Sequence, residues 1–276
     1  MPVSILVLTL NEEKNLPDCL ASVSWTDDIV VLDSMSDDRT VDIARAGNAK
    51  VVQRKFDNWA SHQNWAMSNL TFKHQWVFYL DADERMTPEL ASEINGISAD
   101  SMEERVAFYC GRRNFFMGRW IRHAMPPGTI MRFFRPEKVR FERLVNPVPV
   151  IAGMHGYLKN DFLHFNFSKG LEEWFDKHNR YSTLEAMEGM ALAKRERAGE
   201  PSLWSADPAI RRQAVKNLAF RLPMRPLLKF IYLCILKGGW LDGRPGLTYC
   251  VLQSVYEYMI VLKMRELRLR EKGLGL

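Results

Sequence analysis

The sequence predicts an α/β fold, a doubly wound and mostly parallel sheet flanked by helices, followed by a C-terminal helical extension. Three observations lead there. Short apolar runs alternate with helix-period segments over the first hundred residues, the pattern of successive βαβ units. The run Trp76-Val77-Phe78-Tyr79-Leu80 is apolar throughout, as expected of a strand covered on both faces. From Arg211 onward the composition changes, with 13 Lys and Arg against 4 Asp and Glu, whereas the rest holds 25 against 29. The expected division is therefore an α/β domain over residues 1–210 and a basic, amphipathic extension over residues 211–276.

Each element has its own signal. Val3-Ser4-Ile5-Leu6-Val7-Leu8 opens the sheet. Asn11 is expected to cap the first helix, with Glu12 and Glu13 in the first turn, where the helix dipole favours acids. Leu16, Leu20 and Val23 give that helix its apolar stripe. Ile29-Val30-Val31-Leu32 forms the second strand and ends at Asp33, and a polar turn leads to a helix over 41–46. A third strand over 50–54 precedes a helix over 58–69 and the fourth strand at 76–80.

Polar or acidic residues follow strands one, two and four, and ligands of doubly wound sheets bind beyond the carboxyl ends of the strands. Asp81 and Asp83, two positions apart, suit a hard divalent cation, which usually brings phosphate oxygens with it. The same spacing also fits Asp83 capping a helix that starts near Thr87. Asp33 stands where a nucleotide ribose or base is often met, and equally where a turn former would stand. The sequence has no G-x-G-x-x-G and no G-x-x-x-x-G-K-[ST], which excludes the dinucleotide and P-loop classes.

Composition narrows the setting. With 47% hydrophobic residues the chain can bury an ordinary core. Cys19, Cys110, Cys234 and Cys250 include no C-x-x-C pair and read as buried thiols of a reducing compartment. Neither a signal peptide nor an eighteen-residue apolar run is expected. The acidic body argues against nucleic acid as a partner and leaves the basic tail to meet another anionic surface.

Four pieces together carry a family likeness: Val7-Leu8-Thr9-Leu10-Asn11-Glu12-Glu13, Val30-Val31-Leu32-Asp33-Ser34 with Asp38-Arg39-Thr40, Gln63-Asn64, and Leu80-Asp81-Ala82-Asp83-Glu84. In order and spacing they resemble glycosyltransferase family 2, inverting nucleotide-sugar enzymes of the GT-A fold. The resemblance implies that Thr9, Asn11, Glu12, Asp33 and Asn64 line a nucleotide pocket. It also implies that Asp83, with Asp81 close by, holds Mg2+ or Mn2+ on the diphosphate, and that the donor is a uridine nucleotide. The middle of the chain resembles the bacterial branch that builds lipopolysaccharide core and exopolysaccharide. Arg112-Arg113-Asn114-Phe115-Phe116-Met117-Gly118-Arg119-Trp120-Ile121-Arg122-His123 and Met131-Arg132-Phe133-Phe134-Arg135 carry that likeness. So do Tyr157-Leu158-Lys159-Asn160, His164 and Lys177-His178-Asn179-Arg180-Tyr181-Ser182. The chain departs at Val145-Asn146-Pro147, where many members read Val-His-Glu, so the role of that glutamate has no counterpart here.

Inverting transfer needs a base for the acceptor hydroxyl and a cation for the leaving diphosphate. Glu142 is the leading base candidate, with an ion pair to Arg140 or Arg143 as its alternative. His155, His164 and Asp161 follow, the last in a segment that reads as a turn. Trp120 and Arg132 are the expected acceptor contacts, because aromatics stack on sugars and arginines pair with phosphates or acidic sugars. A solvated rim over core aromatics is the competing reading. In the tail, 227–236 and 247–262 are apolar yet too short or too polar to span a bilayer. With Arg221, Arg225, Lys229, Lys237 and Arg244 they read as an anchor for anionic headgroups, or as a helical subdomain with a solvated basic face.

The expected protein is thus an inverting glycosyltransferase, peripheral to the cytoplasmic face of a bacterial inner membrane. It would move a sugar from a nucleotide donor to a lipid-linked lipopolysaccharide or exopolysaccharide acceptor. A polyprenyl-phosphate glycosyltransferase and a non-catalytic sugar-nucleotide or polysaccharide-binding protein are the rivals.

Overall fold

The computed structural model describes residues 3–97, 105–125, 128–142, 147–195, 204, 211 and 224–274. Packing divides the chain into two compact units, Met1–Phe115 with Pro127–Ser168, and Phe116–Pro126 with Lys169–Leu276. The sequence-based boundary at residue 210 thus falls inside the second unit.

The first unit opens as the alternation predicts: β1 (Ser4–Thr9), α1 (Leu16–Ser22), β2 (Ile29–Asp33), α2 (Thr40–Ala46), β3 (Lys50–Gln53), α3 (Trp59–Asn69) and β4 (Val77–Asp81). These strands lie parallel in the order β3-β2-β1-β4. Then follow β5 (Glu84–Arg85), α4 (Pro88–Gly96), β6 (Arg105–Phe116), β8 (Thr129–Phe134), β9 (Val139–Glu142), β10 (Val148–Ile151) and β11 (Met154–His164). The sheet continues as β8-β6-β11-β5, with β8 antiparallel to both β4 and β6, and β11 parallel to β6. β9 and β10 form a separate two-stranded sheet.

Alternation along the strands fills two cores. Ile5, Val7, Val31, Phe78 and Leu80 pack with α1, α2 and α4 residues such as Leu16, Ala44 and Leu90. Leu6, Leu8, Leu32, Val77 and Tyr79 pack with Ala60 and Ala66 of α3 and Phe141 of β9. Burial on both faces explains why these strands read as continuous apolar runs.

Three local expectations are corrected. Asn11 does not cap α1, which starts at Leu16 behind Asn15 with Pro17 in its first turn. Asn11 instead takes φ 54°, a region that asparagine tolerates. Its amide N–H donates to Ser36 Oγ (2.8 Å), and its Oδ1 accepts the Asp37 N–H (3.0 Å). Asp83 does not cap α4; Thr87 does, accepting the Leu90 N–H. Residues 159–161 are not a turn but part of β11, at an irregularity in its pairing with β6. There the Glu93 carboxylate accepts the backbone N–H groups of Lys159 (2.8 Å) and Asn160 (2.9 Å), satisfying donors that the irregular ladder releases.

In the second unit, β7 (Arg119–Trp120) folds back across a tight turn at Met117 (φ 50°) and Gly118 (φ 73°), both in the left-handed region that such hairpin turns require. The helices are α5 (Leu171–Arg195), α6 (Arg225–Ile231) and α7 (Gly243–Glu271), with a π-helical turn at Tyr232–Leu236 and a 3₁₀ turn at Gly239–Asp242. α5 meets α7 through His178, which stacks on Trp174 and lies edge-on to Tyr256, and through Lys263, which donates to Asn179 Oδ1 and Thr183 Oγ1. Gly246 admits no side chain, since a Cβ there would meet the Gly239 carbonyl oxygen at 2.2 Å.

Asp242 knots this unit. Its buried carboxylate accepts the N–H groups of Arg122 (3.1 Å), His123 (2.9 Å) and Ala124 (2.9 Å) and lies 2.8 Å from His123 Nδ1. Burial alone would raise its pKa, but these donors outweigh it and leave the pKa lowered. Asp242→Ala orphans three amides at roughly 1–3 kcal/mol each. A loss of at least about 3 kcal/mol is expected in urea unfolding of the full chain.

Candidate active site

The carboxyl ends of β1 and β2 are knitted into one polar edge. Asp33 is fully buried at the end of β2. Thr9 Oγ1 (2.9 Å), Ser36 N–H (2.9 Å) and Gln53 Nε2 (3.0 Å) all donate to its carboxylate. Burial works to raise the Asp33 pKa, yet the hydrogen bonds, Ser36 foremost, leave it lowered. A carboxylate whose ionised form is favoured therefore sits at this edge, and it also organises the turn that follows. The turn-forming reading of Asp33 is realised, since its carboxylate accepts the Ser36 N–H. Glu12 is fixed beside it: its N–H donates to Thr40 Oγ1 (2.7 Å) and its carboxylate accepts from Asn15 Nδ2 (2.7 Å). Thr9, Asn11, Glu12 and Asp33 thus share one loop network.

The end of β4 is built on buried charge. Asp81 Oδ1 accepts from the Tyr79 hydroxyl (2.6 Å), and Asp81 Oδ2 accepts from Arg132 Nη2 (2.7 Å). The same nitrogen reaches the buried Glu84 at 2.6 Å, and the guanidinium lies 4.2 Å from the centre of the Tyr79 ring. Arg132 is 2% exposed. The expected acceptor contact is therefore corrected: the buried Glu84 and the partly exposed Asp81 demand a counter-cation, and Arg132 on β8 supplies it. Burial raises the Glu84 pKa to about 7 against the pull of Arg132. The folded chain thus holds a proton here that the unfolded chain has released, so this contribution to stability is complete below about 4.5 and is lost as pH rises through about 7. Urea midpoints measured across that window should fall with pH, and Glu84→Gln should remove that component of the slope.

Asp83 lies in the turn after β4, its Oδ2 3.4 Å from His164 Nε2 at the end of β11. His164 Nδ1 lies 2.8 Å from Oδ1 of the buried Asn114. Because that oxygen only accepts, Nδ1 carries a proton, and Nε2 is the ring nitrogen turned toward Asp83. An imidazole oriented in this way is how a metal-binding histidine is usually held. Among the described residues no three His, Cys, Asp or Glu side chains converge as a closed metal cage. An open pair of one carboxylate and one imidazole, with Asp81 nearby, fits a cation whose remaining positions are filled by substrate phosphate oxygens.

The other candidates fall elsewhere. Asn64 leaves the nucleotide-facing set, because its amide is committed at both ends to Phe141, donating to the carbonyl (2.8 Å) and accepting the N–H (2.7 Å). Glu142 lies on β9, 52% exposed, with Arg140 at 2.6 Å, which realises the ion-pair alternative; Arg143 lies outside the described residues. Glu142→Gln is expected to change kcat less than about threefold, whereas the loss of roughly 10²–10⁴ typical of a missing general base would restore it to that role. Asp161 pairs with Arg113 at 3.0 Å, and His155 belongs to an aromatic group with Tyr109 and Tyr157. Trp120 belongs to the second unit, with the Arg122 guanidinium stacked 4.1 Å from its ring centre.

The sequence model for glycosyl transferase family 2 matches residues 4–161. The lipopolysaccharide core biosynthesis glycosyltransferase LpsC of Rhizobium meliloti is 25% identical, over 96% of this chain and 92% of its own. An uncharacterized glycosyltransferase of Rickettsia typhi is 23% identical, over 98% and 89%. Among solved structures, glucosyl-3-phosphoglycerate synthase from Mycobacterium tuberculosis, in complex with Mn2+, UDP and glucosyl-3-phosphoglycerate, aligns over 41% of this chain and 44% of that one. The identity is 21% and the TM-score 0.33.

Proposed function

The chain belongs to glycosyl transferase family 2 and is a glycosyltransferase, and from that premise we propose that it transfers a sugar, with inversion, from a uridine diphosphate donor to a lipopolysaccharide or exopolysaccharide acceptor. The observation that carries the reading is the open Asp83–His164 pair at the end of β4, on the same sheet edge as the ionised Asp33. A bound Mg2+ or Mn2+ would neutralise the leaving diphosphate. Asp83 and His164 would hold it, with Asp81 fixed alongside by Arg132 and Tyr79. Asp33 offers a charged acceptor to N–H or O–H groups of the nucleoside. The likeness to LpsC over nearly the whole chain supports a saccharide acceptor of the lipopolysaccharide kind, lipid-linked and met at the inner face of the membrane. Among the described residues no helix is long and apolar enough to cross a membrane.

A second reading has an observation of its own. Glu142 is engaged by Arg140 and Pro147 stands where a glutamate is usual, which suits an acceptor whose nucleophile is already a phosphate oxygen. Polyprenyl phosphate is such an acceptor.

Calorimetric titration of nucleoside diphosphates, with and without Mn2+, tests the donor. Binding of UDP that requires the metal is expected, and failure of UDP to bind under either condition would remove the donor assignment. Product formation on truncated lipopolysaccharide core against polyprenyl phosphate then separates the two acceptors, and the anomeric configuration of the product reports inversion.

A further inference from the structure

The second unit carries an exposed apolar surface with no part in the site described above. After α6 the chain passes through the π-helical turn, reverses at Gly238 (φ 72°) and enters the 3₁₀ turn before α7. At this corner Ile235 is 61% exposed, Leu236 73%, Trp240 57% and Leu241 48%. Four large apolar side chains facing water within seven residues form a patch, unlike the scattered singles of an ordinary surface.

Among the described residues of this corner and of the segment bound to Asp242, the exposed charges have one sign. Lys237 and Arg244 are exposed on the corner itself. Arg119 and Arg122, also exposed, lie on the segment whose following amides Asp242 binds. Asp242 is the only acid between Met224 and Tyr256. It is buried, with three backbone amides and His123 on its oxygens, so it offers no negative surface. Arg225, one of the expected anchors, is excluded from this collar because Glu257 holds it at 2.7 Å; Arg221 lies outside the described residues.

We propose that this corner is a wedge that enters the headgroup layer of an anionic phospholipid membrane, with Ile235, Leu236, Trp240 and Leu241 as the inserted part and Lys237, Arg244, Arg119 and Arg122 as the collar. Apolar and aromatic tips ringed by cations match an interface that is apolar inside and negative at its rim. A second copy of the chain fits less well. A two-fold contact needs self-complementary surfaces, and this corner would set cations against cations with no exposed carboxylate among its described residues. The proposal deepens the membrane setting of the proposed transferase and rests on that reading only for its context.

Co-sedimentation of the full chain with vesicles tests it. Vesicles of phosphatidylethanolamine with phosphatidylglycerol should bind the protein, and neutral phosphatidylcholine vesicles should bind it far less. At roughly fivefold per charge near the surface, Lys237→Glu with Arg244→Glu should weaken binding at least about 20-fold. Leu236→Ser should weaken it at constant charge, and quenching by brominated lipid should drop in Trp240→Phe. UDP titration with Mn2+ on the same variants reports that the fold is intact. Retained UDP binding with no vesicle binding by the wild type would overturn the wedge and leave the transferase standing. Equal binding to neutral vesicles, or unchanged binding in the charge variants, would also overturn it. So would a wild-type dimer in sedimentation equilibrium that Leu236→Ser converts to monomer, since self-association would then occupy the patch. Failure of wild-type UDP binding, with vesicle binding intact, would count against the donor assignment alone.

Discussion

Arg132→Met is expected to destabilise the protein by about 3–5 kcal/mol, the usual consequence of removing one partner from a buried ion pair. The cause is specific. Arg132 Nη2 serves Asp81 and Glu84 together, and methionine of similar length leaves the buried Glu84 and its neighbour Asp81 without their counter-cation. Glu84 would then remain protonated to still higher pH, because burial and the neighbouring Asp81 already raise its pKa and Arg132 is the main influence lowering it. Urea unfolding at pH 8 should show a larger loss than at pH 5, where Glu84 is neutral in either protein. Arg132→Lys keeps the charge without the planar fork and should recover only part of the stability. An acceptor contact would behave differently: stability would hold, and only the acceptor KM would rise. Equal stability of Arg132→Met and wild type at both pH values would return Arg132 to the acceptor role.

That contrast shows where sequence reasoning reached and where it stopped. The strand ends were legible because period-two burial on both faces leaves an unmistakable apolar run, and the first polar residue after each run marks the edge. Asp33 and the acids from Asp81 to Glu84 stand there because of chain connectivity alone. Arg132 looked like a surface ligand because arginines are mostly exposed. Its burial depends on β8 inserting antiparallel between β4 and β6, a pairing that no local pattern announces. Asn64 misled for a related reason: an amide in a helix reads as a ligand until Phe141, 77 positions away, occupies both of its ends. The run from Lys177 to Ser182 carried family likeness, yet His178 and Asn179 serve the contact between α5 and α7. His164 stands in the sequence as part of the family likeness and as a base candidate, not as a metal ligand. Its pairing with Asp83 arises from β11 running antiparallel to β5, which sets His164 opposite Glu84, while the parallel pairing with β6 sets it opposite Asn114.

Asp83→Asn should abolish metal-dependent UDP binding and lower kcat by roughly 10²–10⁴, since a metal's stabilisation of a leaving phosphoryl oxygen is worth several kcal/mol and each ~1.4 kcal/mol is a factor of ten. The fold should survive, because Asp83 lies in a partly exposed turn outside the Arg132 ion pairs. Asn114→Leu supplies the discriminating comparison. It removes no metal ligand but frees His164 Nδ1 from its acceptor, so metal affinity should weaken about 10–100-fold while kcat at saturating Mn2+ stays close to wild type. His164→Ala should resemble Asp83→Asn if the imidazole is a ligand, and should leave the Mn2+ dependence unchanged if it merely pairs with Asp83. Asp81→Asn should separate from both: Asp81 faces Tyr79 and Arg132, so its loss should register first as reduced stability and only secondarily as weaker metal binding. Titration of all four variants with Mn2+ at fixed UDP would rank them. The ranking Asp83 and His164 together, then Asn114, then Asp81 follows only if the open pair at the end of β4 is where the cation sits. A ranking led by Asp81 would move the metal toward Arg132, into a place where the cation would have to compete with a guanidinium already held at 2.7 Å.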